Sequence, residues 1–171
     1  MFMLFGGKSM QLDFLDDLAE LALGSRLKRL SERMLADAAA VYKAYGVEAQ
    51  PRWFTLLALI YRQGPSSVVD AANALGLSQP AISQFCRQLT AQGYIALTSC
   101  EQDSRRKVIG LTEEGLAQVE YMQPMWRDVD AAAKSLCTDF ENNFYQALQT
   151  LEQAMQKQSL YQRVMERKDA N

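Results

Sequence analysis

Residues 66–115 read SSVVD AANALGLSQP AISQFCRQLT AQGYIALTSC EQDSRRKVIG LTEEG. Ser66 and Ser67 are candidate caps for a short helix carrying Val68, Ala71, Ala72 and Leu75, with Asp70 placed after Ser67 in the manner of a capping box. Gly76 closes that helix, and a second starts at Ser78 with Ile82, Phe85, Cys86 and Leu89 on one face, ending at Gly93. The spacing of Ala72, Gly76 and Ile82 has a packing reason. Two helices that cross steeply need a small residue at their contact, a turn residue that tolerates positive φ, and an apolar anchor on the second helix.

Two short alternating runs follow, residues 94–98 with Ile95 and Leu97, and residues 106–111 with Ile109 and Leu111. They predict a small hairpin whose polar tip spans residues 99–105. Thr112, followed by Glu113 and Glu114, is a strong helix start, because its hydroxyl can cap a free amide and the acids favour the positive end of the helix dipole. A helix pair with a hairpin appended predicts a winged helix-turn-helix.

Projection of the second helix at about 100° per residue places Pro80, Gln84, Arg87 and Gln88 opposite the apolar face, with Ala81 and Ser83 at the flanks. That outward face is short and polar, with Arg87 its only charge, which suits a helix entering a major groove. There Gln pairs bidentately with adenine, Ala meets a thymine methyl, and Ser78 with nearby amides, including that of Gln79, binds phosphate. A solvated helix face would have much the same composition. The hairpin tip adds what such a face lacks: Arg105, Arg106 and Lys107 cluster there, where arginine can reach a minor groove while its neighbours hold phosphates. From position 78 to 110 four basic residues (Arg87, Arg105, Arg106, Lys107) stand against two acids (Glu101, Asp103), a local +2 in a chain whose net charge is −2. An acidic chain does not coat nucleic acid by bulk attraction, so any contact has to be local.

On these residues the segment resembles the MarR family of bacterial regulators. The matching parts are Leu75-Gly76-Leu77-Ser78, Gln79-Pro80-Ala81-Ile82-Ser83, Gly93-Tyr94-Ile95, Asp103-Ser104-Arg105-Arg106 and Leu111-Thr112-Glu113-Glu114-Gly115. The resemblance implies that Asp103 and Arg105 shape the wing, with the arginine entering the minor groove of double-stranded DNA. It also implies a homodimer on an inverted-repeat operator, with both chain ends interleaved across a two-fold axis. Many members bind small aromatic or anionic effectors between the arms and the winged helix, which makes Tyr42, Tyr45, Arg52 and Trp53 candidate pocket residues. Aromatics at helical spacing are equally what a core requires. Some members sense redox state through cysteine; Cys86 falls on an inward face, Cys137 precedes the last helix and Cys100 sits at the hairpin tip, none beside a feature that lowers a thiol pKa, so inert thiols are expected.

Outside this segment the chain reads as helix. Leu27, Leu30, Met34, Ala38, Val41 and Tyr45 recur at helical steps within a continuous helix expected from Leu12 to Tyr45, which Gly46 ends. A further helix begins near Pro51 and carries Trp53, Leu56, Leu57 and Ile60 to the stop at Gly64-Pro65. After Thr112 a helix persists with a kink at Pro124, and a last amphipathic segment aligns Phe140, Phe144, Leu148, Leu151 and Met155. The stripes at Leu12, Leu15 and Leu18 and in this last segment exceed what a winged helix covers, so a second copy is the expected partner. The expected organisation is an N-terminal helical arm at 1–50, a winged helix-turn-helix domain at 51–115 and a C-terminal helical arm at 116–171, in a mainly α fold with a small β-hairpin.

Composition removes several classes. With 49% hydrophobic and 22% charged residues the chain is of ordinary globular make-up. It has no histidine, so a Ser-His-Asp triad, a Cys-His pair and a His-containing zinc site are excluded. No enzymatic activity, metal or cofactor is expected. Gly6-Gly7-Lys8-Ser9 lacks the first glycine of a phosphate loop, whose place Phe2 occupies. No apolar run approaches membrane-spanning length, Met1-Phe2-Met3-Leu4-Phe5 has no basic leader, and the three cysteines are irregularly spaced, so a cytoplasmic protein without membrane contact is expected. The competing function is a winged helix used only for protein interaction or dimerisation, in which the wing need not be basic.

Overall fold

A computed structural model describes residues 13–99, 107–138 and 143–169. Its elements in chain order are α1 (Phe14–Asp17), α2 (Leu23–Ala44), α3 (Phe54–Gln63), β1 (Ser66–Ser67), α4 (Val68–Leu75), α5 (Gln79–Ala91), β2 (Ile95–Ser99), β3 (Lys107–Leu111), α6 (Glu113–Thr138), α7 (Phe144–Lys157) and α8 (Leu160–Asp169), with 3-10 turns at Ala19–Ala22 and Pro51–Trp53. They group into two compact units, one running to Glu120 and the other starting at Tyr121.

In the first unit the core is built from the apolar faces that periodicity marks. Leu56, Leu57 and Ile60 of α3, Ala71 and Ala72 of α4, Ile82, Cys86 and Leu89 of α5, and Ile95 and Ile109 of the sheet are all buried. Where α4 meets α5, Ala72 is 3% and Ile82 0% exposed, and Gly76 between them has φ 63°. At that angle a side chain would be strained, whereas glycine adopts it freely. The turn is closed by two bonds, Gly76 N donating to Asn73 O (3.3 Å) and Leu77 N to Ala72 O (3.0 Å), the Schellman pattern. Phe85 sits on the shoulder of the buried face rather than at its centre.

Helix starts follow the expected chemistry. Asp70 N donates to Ser67 Oγ (3.1 Å) and Ser67 Oγ donates to Asp70 Oδ2 (2.6 Å). Ser78 Oγ accepts from Ala81 N (3.3 Å), with Pro80 in the first turn, where no amide hydrogen is needed. The hairpin forms antiparallel with Ile95 opposite Leu111 and Ser99 opposite Lys107. A third strand was not expected: β1 pairs with β3 through Ser66–Ile109 and Ser67–Val108, giving the order β1-β3-β2. Two residues are too few to show alternation, so only the folded neighbour reveals this strand.

The N-terminal arm departs from the continuous helix expected from Leu12. Leu12 lies outside the described residues. From Asp13 the chain forms α1, turns at Ala19 (φ 45°) into a 3-10 turn, and only then enters α2. Asp13 caps α1 by accepting from Leu15 N (3.1 Å), and the corner is spanned by ion pairs of Arg26 with Asp16 and of Arg29 with Asp13. The leucine periodicity runs straight across the corner, so no local signal marks it. Along the arm Phe14, Leu21, Leu30, Met34 and Leu35 remain 42–85% exposed.

In the second unit α6 runs across Pro124 without ending, and Met122 and Met125 are buried. The last amphipathic segment forms α7, and a further helix, α8, follows it. Phe140 lies outside the described residues. α7 begins with Asn143 Oδ1 accepting from Gln146 N (3.1 Å), and α8 begins at a reciprocal box in which Gln162 N donates to Ser159 Oγ (3.2 Å) and Ser159 N to Gln162 Oε1 (2.8 Å). Neither helix has a buried residue, and Phe144, Tyr145, Met155, Leu160, Tyr161 and Val164 are 42–71% exposed. Among the described residues no helix is long and apolar enough to cross a membrane.

Candidate nucleic-acid interface

Burial of Ile82, Cys86 and Leu89 turns the opposite side of α5 outward. Ser78, Gln79, Pro80, Gln84 and Arg87 are exposed, while Ala81 and Ser83 are half-buried at the flanks. The first turn of α5 therefore presents the Gln79 amide, the Ser78 hydroxyl and short polar side chains at the positive end of the helix dipole. Burial pushes the Cys86 thiol up from its ordinary pKa, which keeps it protonated behind this face.

Gln88 has a different place from the outward one expected. It is half-buried, and its Oε1 accepts from the indole Nε1 of Trp53 at 3.0 Å, a side-chain bond across 35 residues of sequence. Projection of an isolated helix cannot show such a bond, because the partner comes from another element.

The hairpin is anchored to α5 and α6 at one junction. Tyr94 N donates to Leu89 O (3.0 Å), closing α5, and Thr112 N donates to Tyr94 O (3.1 Å). Thr112 Oγ1 donates to Gly93 O (2.5 Å) and accepts from Gly115 N (2.9 Å), so one hydroxyl caps α6 and ties it to the end of α5. Gly115 lies so close to the Tyr94 backbone that a Cβ there would stand 1.8 Å from the carbonyl oxygen. Tyr94 is buried, and burial, reinforced by the charges of Glu48 and Glu114, raises its pKa. Lys107 opens β3 and is exposed, opposite Ser99. Asp103, Arg105, Arg106 and Cys100 lie outside the described residues, as do Gly6-Gly7-Lys8-Ser9.

The candidate pocket residues divide by exposure. Tyr42, near the end of α2, and Trp53, in the 51–53 turn, are 6% and 4% exposed, whereas Tyr45 and Arg52 are exposed. α2, which carries Tyr42, packs against the 51–53 turn, which carries Arg52 and Trp53.

Helix pair, capped recognition-type helix and hairpin occur in the order of a winged helix, and residues 45–106 match the MarR family. This segment belongs to the MarR family. The match ends just before β3 in sequence and takes in α3, α4 and α5. Over a longer stretch the fold is similar to that of solved regulators. One is the Mycobacterium tuberculosis transcriptional regulator MosR in complex with DNA (TM-score 0.66, 20% identity, covering 78% of this chain and 95% of that one). Another is Staphylococcus aureus MepR in complex with DNA (TM-score 0.65, 24% identity, 77% and 96%). A third is Bordetella bronchiseptica BpsR, whose DNA binding is regulated by 6-hydroxynicotinic acid (TM-score 0.59, 22% identity, 78% and 98%). At these identities the similarity establishes the MarR-like fold.

Proposed function

We propose that this chain is a transcription regulator that binds double-stranded DNA sequence-specifically as a homodimer on an inverted repeat. The observation that carries it is the exposed polar face of α5, held rigidly from behind by buried Ile82, Cys86 and Leu89 and set beside a hairpin within a MarR-family segment. Ser78 and Gln79 at the first turn take backbone phosphate, Pro80, Ala81, Ser83 and Gln84 face base edges, and Arg87 reaches base or phosphate. Asp103 orders the wing, Arg105 enters the minor groove, and Arg106 and Lys107 hold flanking phosphates. Solved DNA complexes of similarly folded proteins support this assignment, as does family membership over a role in catalysis or in protein interaction alone.

The arms at 1–50 and 116–171 supply the dimer, around a reading domain at 51–115. Support comes from the apolar residues left exposed on α2, α7 and α8, which a second copy would cover. A small aromatic or anionic effector is assigned to Tyr42, Tyr45, Arg52 and Trp53, whose three aromatic rings and one cation suit that ligand chemistry; regulation of BpsR by 6-hydroxynicotinic acid is the precedent. The protein works in the cytoplasm, where its DNA is, and needs no cofactor.

Selection of bound fragments from random DNA by the full chain tests the function. Enrichment of an inverted repeat with half-sites about one DNA turn apart is expected; no enrichment, or an asymmetric single site, would overturn sequence-specific reading by a dimer. Replacing Arg105 with Ala should weaken binding to the enriched site and reduce the log–log salt slope by about one per subunit.

A further inference from the structure

Trp53 is 4% exposed at the join of the 51–53 turn and α3, so burial fixes its indole ring, and that ring's Nε1–H points at Gln88 Oε1 (3.0 Å). Along α5, Gln88 follows Gln84 by one helical turn and Ala81 by two, on the same strip of surface. The buried side chains of α5, Ile82, Cys86 and Leu89, form a single apolar line along it. Apolar contacts are non-directional, so they hold a helix down far better than they stop it rolling about its axis. A directional bond on the shoulder does resist rolling. With side chains reaching about 6 Å from the axis, a 10° roll moves their tips by about 1 Å. Hydrogen bonds to base edges tolerate much less than that.

We propose that Gln88 is a positioning residue for DNA reading: its bond to Trp53 sets the rotation of α5 and thereby aims Ala81 and Gln84 at base edges, without Gln88 touching DNA. The inference rests on the DNA-reading function proposed above. It assigns the specificity of this protein partly to a residue that faces inward.

The test uses the full chain, the duplex that wild type enriches from a random pool, and a scrambled duplex of equal length and composition. Gln88→Met keeps the side-chain length and removes the acceptor. It should weaken binding to the enriched duplex about tenfold, leave binding to the scrambled duplex unchanged, and keep the salt slope of wild type. Gln88→Glu, which retains an acceptor oxygen, should recover the enriched-to-scrambled ratio even as its charge lowers both affinities. Trp53→Phe should match Gln88→Met in that ratio, and the double variant should lose no more than either single. In a proton–nitrogen correlation spectrum the Trp53 indole resonance should move upfield in Gln88→Met. A wild-type ratio in Gln88→Met, a parallel loss on both duplexes, or an unmoved indole resonance would each overturn the inference while leaving the DNA-binding function standing. Failure of wild type to enrich any sequence would overturn both.

Discussion

At position 115 an ideal Cβ would stand 1.8 Å from the Tyr94 carbonyl oxygen and 2.7 Å from its carbonyl carbon. Both are backbone atoms held by the sheet and by Thr112, so neither can swing away as a side chain tip could. Gly115→Ala should therefore cost about 3 kcal/mol or more, read as a lowered urea midpoint at fixed protein concentration. Thr112→Val removes the hydroxyl that serves Gly93 O and Gly115 N and should cost about 1–2 kcal/mol. Cys86 offers a chemical check on burial. Its raised thiol pKa and buried position predict alkylation about tenfold or more slower than that of half-exposed Cys137 in the native protein, measurable by mass spectrometry of the two peptides; equal rates would place Cys86 outside the core. Thr112 and Gly76 were legible in the sequence because caps and turns are made within a few residues. Gly115 was legible only as part of a family pattern, since the atom it makes room for lies across a chain reversal.

Helices fare differently according to what ends them. Gly76→Ala forces a Cβ onto φ 63° and should cost about 1 kcal/mol, seen as a lower denaturation midpoint with DNA-binding specificity kept. The start of α8 carries Ser159 and Gln162 at capping-box spacing, a signal local to one helical turn that apolar periodicity does not record. Ser159→Ala should raise hydrogen exchange in the first turn of α8 and leave α5 unchanged. The corner between α1 and α2 depends on charge. Arg29, hydrogen-bonded to Asp13, holds the Asp13 carboxyl below its ordinary pKa, with the Leu15 amide adding to the effect, while Asp13 raises Arg29. A depressed carboxylate pKa stabilises the corner above the unfolded pKa, and that stabilisation is lost as pH falls through the folded value. Acidification below the usual carboxylate range should accordingly free the Leu15 amide to exchange, and Asp13→Asn should do so at neutral pH; an amide indifferent to both would show that the ion pair does not hold α1.

For the whole molecule the consequence is association. The described parts of both arms expose large apolar side chains, Leu21 at 85% and Tyr161 at 71% among them. If a second copy covers them, folding and dimerisation are linked, and the thermal midpoint should rise with protein concentration. A midpoint independent of concentration, together with a monomeric sedimentation profile, would defeat the dimer. Placing an acid on an exposed apolar position of α7, as in Met155→Glu, should shift sedimentation toward monomer and reduce binding to an inverted repeat more than to a single half-site.

The sequence by itself determined the helix pair of α4 and α5, their caps, the Gly76 turn, the hairpin and the capped start of α6, because each is specified by residues within a few positions of one another. It also showed a local excess of positive charge, four bases against two acids, over positions 78–110 of an acidic chain. Tertiary structure alone decided the β1 strand, the corner at Ala19 and the inward turn of Gln88 toward Trp53. Each of these depends on a partner brought close by folding, and for Trp53 and Gln88 that partner is 35 residues away. Side-chain direction on a helix shoulder is set by what packs beside it, which the periodicity of one element does not record.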